Sequence, residues 1–107
     1  MQAVYRIGGL PEGAPHASAA FHADHAAAIA DRLADAPESL VIVFPRASYD
    51  HRGWRRAAIA DLARAHAPVR VNGLVDGDPA AMARTLAFLE MAKGVTGQLL
   101  AVDGAAA

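Results

Sequence analysis

The run Leu40-Val41-Ile42-Val43-Phe44 constrains this chain more than any other stretch. Its successive apolar residues, mostly β-branched, are too few for a helix and leave no polar position to turn toward water, which predicts a strand covered on both faces. The rest of the chain must furnish that cover. Ala3 to Ile7 reads as a short strand, after which Gly8, Gly9, Pro11, Gly13 and Pro15 interrupt regular structure as a loop. From Ser18 to Ala34 the residues Phe21, His25, Ala28, Ile29, Arg32 and Leu33 fall along one helical stripe, with Ser18 as N-cap and Pro37 ending the run. Between Asp50 and His66, Trp54, Ala58, Ile59, Leu62 and Ala65 recur at helical spacing, while Arg55, Arg56 and Arg64 are left to solvent and Ser48 or Asp50 caps the helix. Val69 to Val75 is a third inner strand. Asp78-Pro79 then opens a helix that runs to Lys93 and stops at a left-handed Gly94. Gln98 to Val102 is the last strand, followed by a frayed tail from Gly104.

The resulting order, β-α-β-α-β-α-β, argues for one α/β domain built on a mostly parallel sheet. At 107 residues, 54% hydrophobic and 20% charged, the chain suits a single globular domain rather than two domains or a disordered segment. Much of that apolar share is alanine, so the core rests on a few larger side chains. A net charge of -1, with Arg55-Arg56 the one adjacent basic pair, gives no electrostatic footprint for nucleic acid. The absence of cysteine excludes disulfides and thiolate chemistry and fits a reducing compartment. No stretch has the length or composition of a targeting segment or a membrane span, so a cytoplasmic protein without a membrane partner is expected.

Few residues offer chemistry. His22, Asp24 and His25 could begin a metal site, but no third ligand follows at a defined spacing, and a solvated helix start is expected with no metal. Ser48, Tyr49, Asp50, His51 and Arg52 lie at a strand-to-helix loop, the side of an open α/β sheet where ligands collect. A residual ligand site could use Ser48, Tyr49, His51 and Arg52, with Asn72 and Asp76 on the same rim; alternatively Asp50 caps the helix while His51 and Arg52 face water. Trp54 reads as a core or interface anchor. In the last helix Met82, Leu86 and Leu89 share one stripe, yet Phe88 and Met91 point elsewhere, which marks a partner surface.

Two segments resemble the short-chain dehydrogenase family. Val69-Arg70-Val71-Asn72-Gly73-Leu74 looks like that family's Arg-Val-Asn-Ala strand, and Val95-Thr96-Gly97-Gln98 with the apolar strand and Asp103-Gly104 looks like its closing segment. More faintly, Ala3 to Leu10 resembles the strand ending in Asn-Asn-Ala-Gly. The resemblance implies a single truncated domain over residues 1–107, corresponding to the family's C-terminal half: a small Rossmann-like three-layer α/β domain, with four mostly parallel strands in sequential order and three crossover helices. It also implies that the last helix and closing strand, through Phe88, Met91 and Leu99 beside Trp54, form a subunit interface.

The departures bear on activity. With Ala67-Pro68 aligned to the family's Ala-Pro and two residues deleted after it, Ser48 stands at the catalytic tyrosine and Arg52 at the lysine, while Pro45 or Arg46 replaces the serine. Arg6-Ile7 replaces the paired asparagines. A tyrosine four residues before a lysine would put both on one helix face, where the cation lowers the phenol's pKa, but the single lysine here is Lys93. Gly8 to Gly13 does not replace the Gly-rich cofactor turn, since Pro11 lacks an N–H and Glu12 repels phosphate. No catalytic residues and no cofactor are therefore expected. The expected function is association, as a homo-oligomer or beside a full-length relative; the alternatives are a reduced NAD(P)-dependent oxidoreductase or small-ligand binder using Ser48 to Arg52, or a plain nucleotide-binding module. Right-handed crossovers advancing in one direction would also stack every helix on one face of the sheet, leaving the other for a partner to cover.

Overall fold

β2, Ser39–Phe44, is sealed from solvent along its whole length, as its apolar run requires. The structure, a computed structural model, describes residues 1–102, so the tail expected from Gly104 lies outside them. β2 pairs in parallel with β1 (Gln2–Arg6) on one side and β3 (Arg70–Val75) on the other, and β4 (Leu99–Ala101) pairs in parallel with β3. The strand order is β1-β2-β3-β4, the expected Rossmann-like α/β arrangement. At Gly73 a Cβ would lie 2.9 Å from Ile59 Cγ1 and Leu99 Cδ1, so its missing side chain lets the neighbouring helix settle close on β3.

The first crossover is one bent helical segment: α1 (Ala14–Ala20), a π-helical turn (Phe21–His25) and α2 (Ala26–Ala34). It starts four residues before the expected Ser18, because Pro15 sits in the first turn, where a missing N–H removes no helical bond. Ser18 thus lies inside the helix. The wider π turn re-phases the inward stripe, so Phe21, Ile29 and Leu33 are buried while Arg32 stays outside. A 3₁₀ turn, Tyr49–His51, leads into α3 (Arg52–Ala65). Ser48 takes the N-cap position, but its hydroxyl donates to the Asp50 carboxylate instead of capping.

α4 (Pro79–Met91) begins as expected, with the Asp78 carboxylate accepting from the Ala81 N–H at 3.0 Å. Its end differs. The helix stops at Met91, and Gly94 is not left-handed. Arg70 fills the role instead: its Nη1 donates to the carbonyls of Leu89 and Ala92, both at 2.9 Å, placing a cation on the negative end of the helix. Asn72 fastens the return segment, donating from Nδ2 to Val95 O and accepting from Gln98 N–H at Oδ1. The Arg-Val-Asn stretch therefore works as a clamp on the last crossover.

That clamp holds α4 where the handedness rule did not place it. Phe21, Ile29 and Leu33, with Ala58, Ile59 and Ala63 of α3, pack on the Leu40, Ile42 and Phe44 face of β2. Ala81, Met82 and Leu89 of α4 pack on the opposite face, against Val41, Val43 and Leu74. All three crossovers step across the sheet in the same direction, so a helix on the other face means a connection of the other hand. The β3-α4-β4 connection is the left-handed exception, and the expected bare face is corrected: Val41 and Val43 are already covered by the chain's own helix. No helix of the described residues is long and apolar enough to cross a membrane.

Candidate functional site

Beyond the carboxyl ends of β1 and β2 lies a cleft of about 420 Å³. Residues 9–12 form one wall and residues 45–48 the other, with His51 and Arg55 lining it from the start of the second crossover's helical segment. Its position follows from topology: both strands deliver their following loops to this end of the sheet, where ligands of open α/β folds bind. A second, more open hollow, bordered by Asp76 and Asp78, shares Pro45 and Arg46 with it. Arg46 spans the two, donating from Nε to Asp76 O at 3.3 Å.

The cleft floor contains the largest departure from the sequence expectation. Arg55, assigned to solvent, is fully buried, and so is His51. The physical reason is phase: residue 55 lies four positions from both His51 and Ile59, so all three share the stripe that faces the sheet. Burial pushes the Arg55 guanidinium below its ordinary pKa. Its Nη1 donates to Pro45 O at 2.9 Å, and its charge lies 4.9 Å from the centre of the Phe44 ring and 5.6 Å from that of Trp54. The Nε of Arg55 is buried without a hydrogen-bond partner.

His51 fixes the geometry of the two walls. The Trp54 indole N–H donates to Nδ1 at 3.3 Å, so the ring proton sits on Nε2, which donates to Glu12 O at 2.8 Å. One imidazole thereby ties the 9–12 segment to the helix start. Trp54 itself completes an aromatic cluster with Phe21 and Phe44, at ring separations of 5.5 and 5.8 Å.

Of the residues expected to bind a ligand, the structure brings Ser48 and His51 to the cleft. Tyr49 and Arg52 lie outside it, the Tyr49 ring exposed with the Arg52 guanidinium 5.6 Å from its centre. Asn72 is buried in the β3 clamp and does not line this cleft. The Ser48 hydroxyl is engaged by Asp50, whose carboxyl it holds below the usual carboxylate range. Among residues expected at an interface, Trp54 and Leu99 pack against the first-face core, whereas Phe88 and Met91 are 58% and 78% exposed on the outward side of α4. His22 and His25 are separately engaged, by Ser18 O and the Tyr5 hydroxyl. Among the described residues no group of three acidic, histidine or cysteine side chains could hold a metal ion.

Arg55 is the site residue least visible in the sequence pattern. Its signal was present in the four-residue spacing to Ile59, but a rule that sends every arginine to water hides it.

Compared with known proteins, residues 5–102 match the model of a family described as "SDR-like: Short chain dehydrogenase-like protein". No curated protein and no solved structure gives a match.

Proposed function

The chain belongs to the short-chain dehydrogenase-like family, and from that premise we propose that it is a non-catalytic member that binds a small ligand in the cleft beyond β1 and β2. The observation that carries this is the cleft itself, walled by two loops and floored by buried His51 and Arg55 rather than by apolar filler. Its volume lies in the usual range for small-molecule sites. Support for the absence of hydride chemistry comes from the positions that the resemblance assigns to catalysis. Ser48, at the tyrosine position, has an alkyl hydroxyl already given to Asp50, and Arg52, at the lysine position, stacks on Tyr49 outside the cleft. The phenol that does stand beside a cation, Tyr49 with Arg52, is not at the cleft, so no phenol and cation pair faces a ligand there.

The test is a thermal-shift and ligand-observed NMR screen of small metabolites, with NADH and NADPH titrated alongside by cofactor fluorescence. Saturable ligands are expected whose effect disappears in Ala47→Phe, a substitution that fills the cleft from its loop wall. Micromolar NAD(P)H binding with substrate turnover would overturn the non-catalytic part. An absence of ligands, or ligands indifferent to Ala47→Phe, would overturn the cleft as the site.

A second reading, association through α4, is favoured by Phe88 and Met91, two large apolar side chains one turn apart and facing water. The partner would be a second copy or a full-length relative. Gel filtration with light scattering is expected to report a mass above that of one chain, reverting to one chain in Phe88→Glu and Met91→Glu. A monomeric wild type that co-purifies with nothing would count decisively against it.

A further inference from the structure

An arginine stays charged at any working pH, and removing it from water is strongly unfavourable unless a partner offsets the loss. Arg55 is buried with no carboxylate paired to it among the described residues. The Pro45 carbonyl and the Phe44 and Trp54 rings position the group without neutralising it, and Nε remains unpartnered. Packing alone gives no reason for an arginine here, since an apolar side chain of similar length would fill the space against both rings. Arg55 is among the residues that line the cleft.

We infer that Arg55 anchors an anion in this cleft, and that the ligand is a small organic molecule bearing one carboxylate or phosphate. This rests on the cleft being a ligand site, as proposed above. A guanidinium presents paired N–H donors in a fork that matches two oxygens of either group. Arg46 adds a second, exposed cation at the rim, and a volume of about 420 Å³ suits a metabolite rather than a bare ion. Glu12 on the facing wall disfavours a polyanion, which limits the ligand to one anionic group. Because Arg55 is sealed in this structure, the incoming anion displaces part of the 45–48 segment, where Arg46 and Ser48 are exposed.

Trp54 is the one tryptophan in the chain and sits beside the guanidinium, so its fluorescence reports directly on the site. Acetate and inorganic phosphate are the probes; acetamide is the neutral isostere, and sodium chloride matches ionic strength. The expected result is a saturable change with acetate or phosphate, absent with acetamide and chloride, and weakened about tenfold or more in Arg55→Met. Arg56→Ala, an exposed neighbour, should bind as wild type. Comparing the two anions separates carboxylate from phosphate recognition. Arg55→Met should also melt no lower than wild type in the absence of anion, since it relieves an uncompensated buried charge; a clear drop would assign Arg55 to structure and overturn the inference. No response to either anion would overturn it as well. Equal binding of acetamide would overturn the anion assignment and leave the cleft standing as a ligand site.

Discussion

Replacing Phe44 with alanine is expected to destabilise the protein by about 3–5 kcal/mol, a large share of the roughly 5–15 kcal/mol that holds most domains folded. Phe44 is the last residue of β2, and its ring packs against both the π turn and α3. Phe21 of the π turn lies 5.7 Å away, Trp54 of α3 5.8 Å away, and the Arg55 charge 4.9 Å away. Truncation would empty the centre of this cluster and strip a π face from a buried cation, so transfer and cavity terms act together. Urea unfolding followed by far-ultraviolet circular dichroism measures the effect. A midpoint shift equivalent to less than about 1 kcal/mol would show that the aromatic cluster does not carry the first-face core.

The second large effect tests the opposite face. Leu89→Ala is expected to cost about 2–5 kcal/mol, whereas Phe88→Ala, one residue away, should stay within about 0.5 kcal/mol of wild type. Leu89 is buried beneath α4 with Val41, Val43 and Leu74, while Phe88 faces outward. The contrast reads the phase of α4 directly, because a helix stacked with the others would leave no reason for Leu89 to be the sensitive position. Comparable losses for both variants, in the same urea experiment, would contradict the left-handed placement.

Much of the architecture was legible in the residues. The unbroken apolar run announced a fully buried strand, and the alternation of elements with the Arg-Val-Asn and Thr-Gly-Gln stretches announced the sequential parallel order. The faces were less accessible. Handedness is a statistical rule about crossovers, and here Arg70 capping α4 and Asn72 binding the return segment stabilise the rare hand. In sequence alone the same two residues present a family signature and a rim polar group, because a strand sequence does not state what its side chains reach. At the cleft, the loop was found but its floor was not. Ser48 and His51 line it as expected; Tyr49, Arg52 and Asn72 do not, and Arg55 was hidden by the habit of assigning arginine to solvent. The start of α4 at Asp78 is legible, whereas the start of α1 and the end of α4 are not, because a first-turn proline and the distant Arg70 guanidinium take the place of the ordinary caps.

The all-parallel sheet also governs how the chain reaches its native state. Gln2 lies beside Ser39, Ser39 beside Arg70 and Gly73 beside Leu99, so no strand can zip onto its neighbour from a tight turn. Each pairing waits for a whole crossover to close, an entropic delay that slows folding relative to helical bundles of equal size. During synthesis the stickiest segment, Leu40 to Phe44, emerges well before β3 and α4 exist to shelter it, and is therefore the stretch most in need of a chaperone's hold.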